Sequence, residues 1–200
     1  MRRTTPAILF ALALGAAGCP DSLERHCPSS SFPSGNFQLG LSLQHTPDEC
    51  ILVRSADGGP GPANGSIVPT SQTVQSTLCA GPLDAGATAD AGTALYLVVA
   101  NSDVIRQSPL DPVGGFNFVS PPLRTAQTLC GCTADVAETI SGALVGGGAT
   151  GFMLGPDGGL IPQPTGIDAM VVQMLTTDAG DCLCNLPCSE HYTLAGTLNR

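Results

Sequence analysis

The sequence predicts an all-β body: two antiparallel sheets packed face to face as a β-sandwich and cross-braced by disulfides. Three observations carry this. Phe37, Leu39, Leu41 and Leu43 alternate without a break with Gln38, Gly40, Ser42 and Gln44, the period of two that marks a strand with one face buried and one in water. Short apolar or β-branched runs recur between clusters of Gly, Pro, Asp and Asn, the residues that make turns. Besides Cys19 the chain carries Cys27, Cys50, Cys79, Cys130, Cys132, Cys182, Cys184 and Cys188. An even set of eight reads as four bridges wherever the chain meets an oxidising compartment.

The elements follow in order. Residues 20–34 combine Pro and Ser with no periodicity and read as a tether, pinned at Cys27. The alternating strand of residues 37–44 comes next. Residues 45–49 turn the chain, and Cys50-Ile51-Leu52-Val53-Arg54 reads as a short second strand. After a Gly- and Pro-rich turn region, residues 73–79 (TVQSTLC) have strand composition. Residues 95–100 (LYLVVA) are apolar on both faces, as expected of a central strand. Residues 103–106 and 116–119 are weaker strand candidates. Pro109, Pro112, Pro121 and Pro122 hold that stretch to loops or a sheet edge.

The back half repeats itself. Residues 115–144 hold an apolar strand, then Cys130-Gly131-Cys132, then Thr139-Ile-Ser-Gly-Ala-Leu144. Residues 166–198 hold an apolar strand, then Cys182-Leu183-Cys184, then Thr193-Leu-Ala-Gly-Thr-Leu198. Both read as hairpin-like units. Val136, Ile140 and Leu144 also recur at four-residue spacing, and Asp135 with Glu138 fits a helix-capping box. The matching segment from Tyr192 to Leu198 alternates at every second residue, so residues 136–145 are read as a strand by analogy. The whole resolves into eight to ten short strands, immunoglobulin-like in general architecture.

The first nineteen residues, MRRTTPAILFALALGAAGC, set the address. Arg2 and Arg3 give a positive start, residues 7–17 form an apolar run broken only by Gly15, and small residues lead into Cys19. That is the layout of a secretory signal, and it is too short to span a bilayer, which takes about 20 apolar residues. With Gly15-Ala16-Ala17-Gly18 directly before Cys19, the segment resembles a bacterial lipoprotein signal. The resemblance covers only this leader, and Ala16 stands where the family usually has Leu. It implies cleavage before Cys19, acyl chains on that cysteine and a membrane anchor; several chains anchor stably where one binds marginally. The implied location is the cell envelope, outer-membrane-anchored, facing the periplasm or the surface. The paired arginines also raise twin-arginine export, but Thr5 and Pro6 occupy positions that signal fills with apolar residues. The chain thus divides into a signal peptide (1–18), a lipidated cysteine with a tether (19–34) and a single β-rich domain (35–200).

Charge and composition narrow the function. Beyond the leader five arginines face sixteen acidic residues, a net charge of −11. Such a chain is repelled by nucleic acid and by anionic lipid headgroups. Trp is absent and Tyr is limited to Tyr96 and Tyr192, which disfavours aromatic sugar platforms and many interface hot spots. Cys182-x-Cys184-x3-Cys188-x2-His191 supplies four soft ligands that fit a zinc site in principle, but matched cysteines in an exported chain oxidise instead. Asp57, Asp84, Asp90, Asp157 and Asp178 each open an Asp-(Ala/Gly)-Gly tripeptide, which is similar to calcium loops in chemistry but lacks their spacing; turn formation explains it. His26 falls in the tether and His45 in a turn, and His191 beside Glu190 reads as a surface ion pair. No serine sits in a nucleophile elbow and no Gly-rich loop precedes a lysine. The expectation is a lipid-anchored envelope protein with a binding or structural role, without metal, cofactor or catalytic residues. A calcium- or zinc-dependent binding module is the alternative, and an enzyme comes third.

The Cys-x-Cys pairs allow a sharper expectation. Residues i and i+2 of a strand lie about 6.5–7 Å apart, beyond the roughly 5.5–6 Å that a bridge prefers. Cys130 is therefore not expected to bond Cys132, nor Cys182 to bond Cys184. Each pair should staple its strand to two different neighbours.

Overall fold

The structure, a computed structural model, describes residues 27–53, 69–82, 92–100, 102, 104–125, 130–146, 152–154, 160–177 and 182–199. Cys19 and the leader lie outside these residues, as do His26, Arg54 and all five Asp-(Ala/Gly)-Gly aspartates. Among these residues ten strands form and all pairing is antiparallel: β1 (Phe32–Gln44), β2 (Ser71–Pro82), β3 (Thr93–Val99), β4 (Ile105–Pro109), β5 (Gly115–Thr125), β6 (Ala134–Val145), β7 (Phe152–Leu154), β8 (Leu160–Pro162), β9 (Gly166–Thr176) and β10 (Cys188–Leu198). Eight belong to one sheet in the order β4-β3-β2-β1-β10-β9-β6-β5, and β7 with β8 makes a separate ribbon.

The sheet curls until β4 comes alongside β5, so the body is a near-barrel. This corrects the expected immunoglobulin-like sandwich. Period-two burial is the same in both architectures, since each hides one face of every strand. What differs is which strands share a ladder. Here β10 pairs with β1 from Phe37↔Leu198 to Gln44↔His191, which joins the front and back halves of the chain in one continuous sheet.

The alternation read from the sequence is the burial pattern of β1: Phe37, Leu39, Leu41 and Leu43 face the core while Gln38, Ser42 and Gln44 face water. The strand starts at Phe32, inside the stretch read as tether. β3 is flanked on both sides, by β2 and β4. Residues 136–145 are strand, within β6, which pairs with β5 and β9. Both repeat units are hairpins, β5–β6 and β9–β10, and they meet along β6–β9. The prolines act as expected. Pro109 ends β4, and Pro121 and Pro122 fall in a bulge of β5, an end strand of the sheet. Proline on such an edge removes donors that a foreign strand would use. Over its described residues, 50–53, the strand expected at Cys50–Arg54 does not form. Among the described residues its strand pairing reduces to the bridge Leu52↔Cys184, and scattered backbone hydrogen bonds, the Asn185 side chain and a disulfide hold the segment in place of a ladder.

The seam between β4 and β5 has no ladder and is closed by side chains. The Asn117 N–H donates to Ser108 Oγ at 2.7 Å, and Arg106 crosses into the lumen to meet Glu138. The connecting turn is set by Asp111, whose carboxylate accepts from the N–H groups of Val113 (2.9 Å) and Gly115 (2.6 Å). Inside, Leu39, Leu78, Leu97, Phe118, Ile140 and Leu194 converge and leave only about 10 Å³, so the lumen is a packed core. Ile161 of β8 adds to the core, and β8 lies against β1 and β2. Most inward-facing side chains are apolar, with Arg106, Glu138, Gln173 and Glu190 as buried polar exceptions, while Ile105, Val119, Leu123, Val145, Met170 and Met174 are apolar groups exposed on the outer surface.

Gly142 of β6 sits where a Cβ would run into the Asp168 carbonyl oxygen and Ala169 of β9. Both are main chain in a paired strand and have little room to move. Gly142→Ala is expected to cost about 1–3 kcal/mol by overpacking in urea denaturation. Gly40→Ala, whose added methyl would meet only the Ala195 carbonyl at 3.7 Å, should cost less.

Candidate functional site at the disulfide-braced end

Three of the four bridges gather at one end of the barrel, where β9 leaves and β6 and β10 begin. Cys130 bonds Cys184 and Cys132 bonds Cys182, with Cα separations of 5.0 and 5.3 Å. Cys50 bonds Cys188 at 5.0 Å, and Cys27 bonds Cys79 at 5.7 Å. No Cys-x-Cys pair is bridged within itself. The pairs do not reach two different neighbours, however. They face each other antiparallel and form two rungs, with the Leu183 N–H donating to the Cys130 carbonyl at 2.8 Å between them. Nor do they lie in strands. Cys130 and Cys132 stand in the turn before β6, where Gly131 takes a φ of +70°, a conformation that glycine adopts without strain. Bridged cysteines have no thiolate to give a metal, so Cys182, Cys184 and Cys188 do not form the zinc site that their spacing with His191 allows.

β10 runs on past the end of β1, and residues 45–53 take the place beside it. The Ser189 N–H donates to the Asp48 carbonyl at 2.8 Å and the Val53 N–H to the Leu183 carbonyl at 2.8 Å. Asn185 fastens the segment twice, accepting from the Ile51 N–H at 2.8 Å and donating to the Glu49 carbonyl at 3.0 Å. On its outer side His45 Nδ1 meets Glu49 Oε2 at 2.8 Å, and His191 Nε2 meets Asp48 Oδ2 at 3.4 Å.

Beneath this segment a polar row crosses the lumen. Glu138 of β6, Gln173 of β9 and Glu190 of β10 are register partners on the inward face. Glu138 receives Arg106 on one carboxylate oxygen and the Gln173 amide on the other at 2.9 Å. Ser120 joins from β5, donating to the Glu138 carbonyl at 3.3 Å. Glu190 is fully buried, and neither carboxyl oxygen has a hydrogen-bond partner among the described residues. Burial first, and the negative charge of Glu49 second, push its carboxyl up to about 7. The Tyr192 hydroxyl, also buried without a partner among the described residues, is raised by burial and then by Glu190 and Glu49.

The expected surface pair of His191 with Glu190 is therefore corrected. Neighbouring residues of a strand point to opposite faces: His191 points out to Asp48 and Glu190 points in. Arg106 and Gln173 are not singled out from the sequence, and Glu138 only as a helix-capping candidate. The signal was parity. Glu190 shares its phase with Tyr192 and Leu194, and Glu138 with Val136 and Ile140, which places both carboxyls inside.

A second feature lies on the outer face. Asn36, Gln75, Thr77, Val98, Ala100 and Asn199 line a cavity of about 150 Å³ with no charged group. Thr77 Oγ1 donates to Asn36 Oδ1 at 2.8 Å, and Asn199 Nδ2 to Gln75 Oε1 at 2.6 Å. Neither feature puts a nucleophile against a base. No family model, no characterised protein and no solved structure matches the chain.

Arg106→Met should leave the Glu138 carboxylate buried with only the Gln173 amide, and cost about 3–5 kcal/mol in urea denaturation of the oxidised chain. The double variant Arg106→Met/Glu138→Leu should recover part of that loss, since an apolar pair removes the stranded charge.

Proposed function

We propose that the chain is an exported module held to the cell envelope by lipid on Cys19, presenting a rigid barrel that serves a binding or structural role. The observation that carries this reading is cysteine parity. Cys27, Cys50, Cys79, Cys130, Cys132, Cys182, Cys184 and Cys188 satisfy one another in four bridges, which leaves Cys19 no partner within the chain. Four bridges fit an oxidising, extracytoplasmic compartment, and the leader resembles the signal that directs a cysteine to lipidation there. A packed lumen leaves the outer surface as the place to meet a partner, and the neutral cavity beside Thr77 is a concave feature on it. The net negative charge supports a protein or envelope partner rather than nucleic acid.

Membrane fractionation with free-thiol counting tests this. The wild-type chain should partition with membranes and begin at an acylated Cys19. Cys19→Ala should appear soluble or uncleaved, with all four bridges intact. Changing any one of the eight bridged cysteines should instead expose one partner thiol and cost about 2–4 kcal/mol. A mature chain beginning elsewhere, or Cys19 recovered in a disulfide, would overturn the reading.

A further inference from the structure

The polar row inside the barrel has an uneven charge. Two carboxyls, Glu138 and Glu190, enter it, and among the described residues Arg106 is the one cation that does. Arg106 is committed to Glu138. Glu190 is left to its other neighbours. Its own strand brings Tyr192 on the same face and His191 on the opposite one. Residues 45–50 bring His45, Asp48 and Glu49. β9 brings Gln173, whose amide already serves Glu138, and beyond it lie Glu138 on β6 and Arg106 on β4.

We propose that Glu190 is a proton-dependent latch: the fold closes over it as a neutral carboxylic acid, and its ionisation loosens residues 45–53 from the end of the barrel. A buried carboxylate without a hydrogen-bond partner is costly, and admitting water is the cheapest relief. β9 and β10 are held along their lengths by a ladder. Residues 45–53 are held by a handful of hydrogen bonds and by Cys50–Cys188, so they are what gives way, while the disulfide keeps the opening local. Burial and the Glu49 charge favour the protonated form, with the nearby Cys50 N–H and His45 offsetting them in part, and the carboxyl lies at about 7 against a reference of 4.5. The folded chain then binds a proton that the unfolded chain has lost between about pH 4.5 and pH 7. Stability is highest at the acid end of that window, falls as the pH rises through it and levels off above it.

The test is urea denaturation of the oxidised chain from pH 4.5 to 8.5, with amide hydrogen exchange at Ile51, Val53 and Ser189. The wild type should lose folding equilibrium constant by up to about tenfold per pH unit and roughly a hundredfold across the window, and exchange at those three amides, corrected for intrinsic rate, should rise in parallel. Glu190→Gln should flatten both responses. His45→Gln and His191→Gln should leave them in place, which separates the carboxyl from the nearby imidazoles. A wild-type response that is flat, or one that persists in Glu190→Gln, or one abolished by either histidine variant, overturns the latch. Should Glu190→Gln fail to fold, the Glu190 carboxyl carbon resonance of the wild type decides. Titration near 7 supports the proposal, and titration near 4.5 refutes it.

Discussion

The pairing of β1 with β10 is the contact on which the rest of the barrel depends. β1 takes β2 on one side and β10 on the other, so the first and last strands of the described fold sit together at the middle of the sheet. Without that ladder the chain would hold two separate groups of four strands, β1–β4 and β5, β6, β9 and β10, each with an apolar face exposed. With it the sheet is long enough to curl, and the two faces become one core. The contact is between segments far apart in sequence, so it forms against a large loop-closure cost. The bridge Cys50–Cys188 spans 138 residues beside that ladder and shrinks the same cost by restricting the unfolded chain.

The remaining bridges divide the work. Cys130–Cys184 and Cys132–Cys182 tie the two hairpins together at the end where their connections meet, close to the β6–β9 pairing. Cys27–Cys79 fastens the segment ahead of β1 to β2, whose partner across the ladder at that point is Pro33. The chain needs such braces because its aromatic content is low: Phe37, Phe116, Phe118 and Tyr192 are the large rings buried among the described residues. Leucine, valine and isoleucine fill most of the interior, which packs well but without the large buried area that each ring contributes.

Against that apolar background the polar row has two different consequences. The Arg106–Glu138–Gln173 group closes a seam that lacks backbone pairing, and its hydrogen bonds demand one alignment of β4 with β6 and β9. A buried ion pair adds little net stability compared with apolar packing, but leaving one member alone is expensive, so the group penalises any misaligned closure. Glu190 lies in the same row without a partner. Its proton then becomes part of the folded structure, and the covering segment becomes the region most responsive to pH.

The strands, their phase and the covalent bracing were legible in the sequence because each is a local property. Alternation at residues 37–44, apolar content at 95–100 and the prolines at 109, 121 and 122 act through the residue and its immediate neighbours. The four bridges followed from an even count; the Cys-x-Cys pairs are unbridged within themselves as expected, but they stand outside the strands, so strand spacing is not the reason. Residues 136–145 were harder, since four-residue spacing competed with alternation; the hydrogen-bonding partners on β5 and β9 decided for strand. Parity alone also held the information that Glu138 and Glu190 face inward, though nothing local says what awaits them there. Sandwich against near-barrel, the facing of one Cys-x-Cys pair by the other, and the meeting of Arg106 with Glu138 depend on which distant strands share a ladder. A period of two tells each strand to hide one face. It carries no record of which strand lies beside it, and that choice belongs to long-range packing.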